Sequence, residues 1–279
     1  MPGDEFEHVY AVQVRDTGFG FDQFGMEKET AILAVAIVRY LHKYWFRVQS
    51  EGIENVPLTG RCIVVPNHSG VIPIDAVMLG VDIAVKMKKA RIMRAMVDNF
   101  VGFMPYLNVF FTRVGQVVGA RRNFSDLLNN DELMAVFPEG TKGVGKPFSQ
   151  RYQLQRFNVG FIELSLNYKA PLVPVAIIGA EEQAPLLANL KPLARLIGLP
   201  YFPVTPFFPL LGPLGMIPLP VQYHIYYGKP LHYYGKYPPE TANDPETIRM
   251  LADRVQMIVQ DMVIQGLDKR KAIFGLGEN

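Results

Sequence analysis

Two kinds of apolar pattern alternate along this chain. Runs that are apolar at almost every position, at Cys62–Val65, within Glu132–Phe137, at Leu172–Ile178 and over Tyr223–Tyr227, are short and end at Pro or Gly, so they predict buried strands. Between them lie longer segments with helical spacing. Helices are predicted from Thr30 to near Val48, from Pro73 onward, over Ser125–Asn130, near 155–168 and over Glu246–Gln265. Strands that alternate with helices predict an α/β fold: one domain with a mixed, mostly parallel sheet flanked by helices. In such a sheet the chemistry gathers where strands exit toward a shared crevice.

Two segments stand outside that rhythm. Residues 1–25 interleave Gly18, Gly20 and Gly25 with Phe19, Phe21 and Phe24, and read as an irregular arm pinned by aromatics. The helix that follows carries Arg39, Lys43 and Arg47 at every fourth position, with apolar residues over the rest of a wide arc and Tyr44 and Trp45 at one end. Such a helix suits a lipid interface, and equally a core helix with one solvated face. Residues 1–50 are therefore taken as an arm with a membrane-surface helix, and 51–279 as the α/β domain. Residues 196–221 are rich in Leu, Phe and Pro, with prolines at 200, 203, 206, 209, 213, 218 and 220. That many prolines forbid a long helix, so the stretch is an apolar loop that covers a pocket or dips into lipid. Lys86, Lys88, Lys89, Arg91 and Arg94 form a basic cluster, read as a solvated helix face or as an attractor for an anionic carrier or headgroup.

Composition narrows the class. Of 279 residues, 49% are apolar and 19% charged, a greasy balance, and the net charge of +2 argues against a nucleic-acid binder. The single Cys62 forbids an internal disulfide and fits a reducing compartment; inside a strand run it reads as a packed thiol. The first sixteen residues are polar and mixed in charge, unlike a signal peptide. No apolar run reaches the ~18–20 residues of a spanning helix. The expected location is peripheral, on the cytoplasmic face of a membrane.

The candidate chemistry sits after the first strand run. Asn67, His68, Ser69 and Gly70 line its exit, and Pro73 opens the next helix, which puts Asp75 in that helix's first turn, where the dipole favours a carboxylate. A turn folding back would let Asp75 hold one ring nitrogen of His68 and leave the other free to take a proton. Further along, Gly115–Asn123 delivers Arg121 and Arg122 to its end, and the second strand run leads into Pro138-Glu139-Gly140-Thr141-Lys142. The strand order brings His68, Arg121 and Glu139 toward one crevice. His8, His42, His224 and His232 lack such surroundings and read as ordinary surface or partly buried residues.

Four segments in order resemble the motif blocks of the glycerolipid acyltransferases, the lysophosphatidic acid and glycerol-3-phosphate acyltransferases. They are Asn67-His68 through Asp75, Gly115 to Arg121, Phe137-Pro138-Glu139-Gly140-Thr141-Lys142, and Pro171-Leu172-Val173-Pro174-Val175. The match spans about residues 61–180. This chain departs from the family pattern twice: six residues separate His68 from Asp75 where four are usual, and Lys142 stands where arginine is common.

The resemblance implies an O-acyltransferase that moves a fatty acyl chain from acyl-CoA or an acyl carrier protein to a lysophospholipid or glycerol phosphate. His68 is the implied base and Asp75 its orienting acid. Arg121, with Arg122 as alternate, grips the acceptor phosphate. Glu139 meets an acceptor hydroxyl or orders the loop, Asn67 orients the loop or contacts substrate, and with Gly140, Thr141 and Lys142 they complete the substrate-binding set; the fourth block serves the site floor and acyl binding. No metal or resident cofactor is implied, since the acyl thioester is a co-substrate. A neutral lipid alcohol or diacylglycerol is the alternative acceptor, because the wording His68 to Asp75 is similar to that of some diacylglycerol acyltransferase-like proteins. A thioesterase and a non-catalytic lipid-binding module are the remaining readings.

Overall fold

The computed structural model describes residues 6–97, 105–196, 202–270 and 273. The strands are β1 (Gln49–Glu51), β2 (Cys62–Pro66), β3 (Arg94–Val97), β4 (Val117–Val118), β5 (Leu133–Ala135), β6 (Leu172–Ile178), β7 (Ala188–Asn189), β8 (Pro203–Val204) and β9 (His224–Tyr227). The helices are α1 (Glu7–Tyr10), α2 (Lys28–Tyr40), α3 (Ile74–Lys86), α4 (Leu107–Arg113), α5 (Arg121–Asn129), α6 (Thr141–Val144), α7 (Gly160–Tyr168), α8 (Lys191–Leu196) and α9 (Pro245–Lys269). The main sheet runs β1-β9-β6-β2-β5-β3-β4, while β7 and β8 pair separately. Every pair in the main sheet is parallel except β6 with β9.

The central strands explain the apolar runs. β2 is buried at all its positions and β6 likewise, as expected of parallel strands covered on both faces. Successive side chains of β2 go to opposite layers. Cys62 and Val64 pack with Met78, Leu79 and Ile83 of α3, whereas Ile63 and Val65 pack with Leu127, Phe161, Val255 and Val259 from α5, α7 and α9. Burial pushes the Cys62 thiol up to about 12, so it is a packing group, as its place in the run implied. The helix α9 is opened by Asp244, which accepts from the Glu246 and Thr247 amides, with Pro245 in its first turn.

Several elements depart from the sequence expectation. The helix predicted to run to Val48 is α-helical only to Tyr40 and continues as a π turn over Leu41–Trp45. Its basic stripe is broken up: Arg39 lies over the Phe6 ring, and Arg47 donates to the Trp45 and Pro220 carbonyls. The Lys86–Arg94 cluster is solvated only in part: Lys86, Lys88 and Lys89 are exposed, but the arginines turn inward. Lys86 pairs with Asp82, Arg91 donates to the Pro57, Gly60 and Asp131 carbonyls, and Arg94 is wholly buried on β3 with Asp22 at 2.6 Å. A buried guanidinium is tolerable because it is paired and also donates to the Gly115 carbonyl. Of the apolar Pro-rich stretch, 197–201 lie outside the described residues; the rest holds strand β8, a 3-10 turn over Gly212–Met216 and irregular chain.

Candidate active site

Strand β2 lies between β5 and β6, so its exit is flanked by theirs. Beyond Pro66, which pairs with Val175, the Asn67 amide continues the strand pairing with side-chain atoms. Its Nδ2 donates to the Ile177 carbonyl at 3.0 Å and its Oδ1 accepts from the Ile177 amide at 2.7 Å. Asn67 is buried and acts as a brace that aims the chain into the next residue, the loop-orienting one of the two roles open to it.

That next residue is His68. The six-residue insert does fold back: His68 Nδ1 lies 2.7 Å from Asp75 Oδ2. The same carboxylate accepts from the Ser69 amide at 2.9 Å and the Ala76 amide at 2.8 Å. Asp75 is fully buried in the first turn of α3, and a carboxylate ringed by donors is an acceptor. The Nδ1 therefore carries the proton and Nε2 bears the lone pair. Among the described residues Nε2 has no hydrogen-bond partner, and the side chain keeps 13% exposure. Phe137 covers one side of the ring, with centroids 4.4 Å apart.

Glu139 holds the loop from the β5 side. Its Oε1 accepts from the His68 amide at 2.8 Å and its Oε2 from the Gln155 amide at 2.6 Å. Both oxygens are thus committed to backbone, and of its two expected roles, meeting an acceptor hydroxyl or ordering the loop, Glu139 takes the second. Burial raises its pKa, an effect that the two amide hydrogen bonds and the Lys146 and His68 charges oppose. The turn into α6 needs glycine twice. Gly140 has φ +57°, and a Cβ on Gly143 would fall 2.5 Å from the His68 carbonyl oxygen. Thr141 and Lys142 are exposed on the first turn of α6.

The arginines stand apart. Arg121 and Arg122 open α5 after β4, both exposed, and Arg122 approaches Asp126 at 3.8 Å. They share the strand-exit edge with His68, but β4 is three places from β2, roughly 14 Å at ordinary strand spacing. The expected convergence therefore holds for His68 and Glu139, while Arg121 lies farther along the edge. A groove of about 400 Å³ lies at that end, lined by Phe21, Gly25, Asn108, Val109, Thr112, Arg113 and Val118. The fourth block is core strand, sealed in β6.

Sequence reasoning missed two supports and one whole site. Gln155 was assigned to a helix that begins only at Gly160, which leaves its amide free for Glu139. Lys146 is buried, ion-paired to Glu181 at 2.6 Å and donating to the Gln153 carbonyl, behind Ser69 and Gly70. Neither has a periodic signal that could have revealed it. His42, read as unremarkable, is buried on the π turn and pairs with Asp82 at 2.9 Å; Tyr227 and Lys86 also reach that carboxylate. Among the described residues no group of three His, Cys, Asp or Glu could hold a metal ion, and no helix is long and apolar enough to cross a membrane.

A histidine with one nitrogen held by a buried acid and the other without a partner is the arrangement that suits a general base. Comparison with known proteins makes this specific. The acyltransferase family model matches residues 47–178. An uncharacterized protein of Mycobacterium tuberculosis is 40% identical over 98% of this chain and 78% of its own length, and one of Mycobacterium leprae is 41% identical over 96% and 75%. A bovine protein called a DGAT1/2-independent enzyme synthesizing storage lipids is 25% identical over 83% of this chain and 62% of its own. The fold matches the crystal structure of the 1-acyl-sn-glycerophosphate (LPA) acyltransferase PlsC from Thermotoga maritima, with TM-score 0.56 and 18% identity over 96% of this chain and 88% of that one. The chain belongs to the acyltransferase family and is an acyltransferase enzyme.

Proposed function

We propose that this enzyme moves a fatty acyl chain from a CoA or acyl-carrier thioester onto a hydroxyl of a lysophospholipid or glycerol phosphate, as a step in phospholipid biosynthesis. The observation that carries the reading is the bare Nε2 of His68, its tautomer set by buried Asp75. The acceptor O–H gives its proton to Nε2 as its oxygen attacks the thioester carbonyl carbon. Asp75 stabilises the resulting imidazolium. The tetrahedral intermediate then collapses, the C–S bond breaks, and the leaving sulfur takes the proton back from His68. No acyl-enzyme forms and no resident cofactor is consumed. Asn67 and Glu139 act by holding the loop at both ends.

The acceptor phosphate falls to Arg121, backed by Arg122, with Thr141 and Lys142 at the rim. A second reading, a neutral lipid alcohol or diacylglycerol, draws support from the place of β4, which delivers Arg121, three strands from β2 and from the storage-lipid relative. One assay panel decides. Acyl-CoA and acyl-carrier donors are offered with lysophospholipids, glycerol phosphate or diacylglycerol, for wild type and Arg121→Ala. The lead reading expects transfer to phosphate-bearing acceptors and at least a tenfold KM rise in the variant, the scale of a lost charge-assisted contact. Transfer to diacylglycerol with an unmoved KM gives the second reading. Thiol release without any acceptor would replace both with a thioesterase.

A further inference from the structure

The closing helix α9 buries one face and breaks the usual pattern on the other. Its buried stripe runs from Ile248 through Leu251, Val255, Val259 and Val263 to Gly266, and packs on β6 and α7. The opposite face of such a helix is normally polar. Here it carries Met250, Met257 and Ile264, which are 53%, 61% and 49% exposed and fall at every seventh position. At about 100° per residue, all three lie within about 40° of one line along the helix, on the side away from the sheet. One exposed apolar residue needs no explanation, but three in heptad register make a seam.

Charge identifies the occupant. Arg254 sits in the seam between Met250 and Met257, and Asp261 between Met257 and Ile264, both exposed. Elsewhere on α9, Arg249 pairs with Asp253 and Lys269 with Glu51, whereas among the described residues Arg254 and Asp261 form no ion pair. The seam is balanced about Met257: an apolar residue seven before and seven after, a base three before and an acid four after. That is what a two-fold contact requires, since residue i then meets j and j meets i. Met257 would meet itself, Met250 the partner's Ile264, and Arg254 the partner's Asp261. Parallel packing would set arginine on arginine and aspartate on aspartate, so charge selects the antiparallel arrangement. Helices that cross at an angle part at their ends, which confines contact to about 21 Å of helix over Met250–Ile264 and keeps Glu246 and Asp268 clear of each other. A bilayer fits less well, because Asp261 and Asp268 on the same line repel an anionic surface.

We infer that α9 is the interface of a homodimer, two copies joined antiparallel along Met250–Ile264 and held in register by Arg254 and Asp261. One helix a side is small beside the ~1,600 Å² of a stable complex, so association falls in the micromolar range. The same helix supports the site from its inner side. Gln256 accepts from the Phe157 amide and Gln260 from the Leu154 amide, which fixes the segment whose Gln155 amide holds Glu139.

The test is sedimentation equilibrium of the full chain from about 1 to about 100 µM at about 0.1 M salt. Wild type should pass from monomer toward dimer across that range. Met257→Lys puts like charges on the two-fold and should weaken the dimer by about tenfold or more. Arg254→Asp and Asp261→Arg should each do the same alone. Mixed one to one they should associate again, because one copy then carries two acids and the other two bases. Urea midpoints equal to wild type at the lowest concentration show that the variants fold. Wild type that stays monomeric at the top of the range overturns the inference. So does a dimer that Met257→Lys leaves intact, or a mixture that fails to associate where each variant alone has lost the dimer. Monomeric wild type that floats with phosphatidylcholine vesicles, with Met257→Lys floating less, gives the seam to a bilayer instead.

Discussion

Two imidazole–carboxylate pairs hang from one helix. Asp75 and Asp82 lie seven residues apart on α3, two turns along the same face, and both are fully buried. Asp75 takes Nδ1 of His68 plus two backbone amides, and among the described residues the ring's other nitrogen has no hydrogen-bond partner. Asp82 takes Nε2 of His42, the Tyr227 hydroxyl and Lys86, and joins the π turn to β9 through α3. The two pairs have the same chemistry and nearly the same separation, 2.7 and 2.9 Å. What separates a base from a brace is where the imidazole's free side faces and what else satisfies the acid.

The comparison is tested hardest by removing each ring. His68→Ala should lower kcat per folded molecule by about 10²–10⁴-fold, the usual worth of a general base. A variant that keeps near wild-type turnover would end the catalytic assignment. Asp75→Asn comes next: the amide no longer fixes the productive tautomer, and steady-state kinetics should show a loss of about 10²–10³-fold in kcat. His42→Ala should invert the pattern. Breaking a buried pair from one side costs about 3 kcal/mol, read as a shifted urea midpoint, while kcat per folded molecule stays close to wild type.

The smallest effect lies in pH dependence, where the two sites have opposite sign. Burial alone would raise Asp82, but the hydrogen bond from His42 and the Lys86 and His42 charges outweigh it and hold the carboxyl below its ordinary range. Its share of stability is therefore present above the unfolded value near ~3.9 and is lost as pH falls through the lower folded value. Glu139 is raised, so the folded state binds more protons than the unfolded one from about pH 4.3 upward, and stability falls as pH rises through that window. Urea midpoints against pH should show the acid-side loss vanish in Asp82→Asn and the alkaline-side loss vanish in Glu139→Gln.

The His68 loop was legible because its parts are local: a strand end, a small polar turn and an acid in the next helical turn all fall within ten residues. The strong apolar runs gave β2, β5, β6 and β9 for the same reason. β3 was hidden, because Arg94 on it looks like a surface residue until Asp22, 72 positions earlier, is brought beside it. His42 was hidden likewise by a π turn that rotates it inward toward Asp82.

By itself the sequence determined the alternation of strands and helices and the His68–Asp75 turn. Periodicity and turn chemistry are properties of neighbours along the chain. Only the tertiary structure decided that Glu139 supports the loop, that Asn67 braces β6, that Arg121 stands three strands away, and that α2 and the Pro-rich stretch meet at Trp45. Each of those depends on which distant backbone groups are buried together and must find partners, and that is settled by packing in three dimensions.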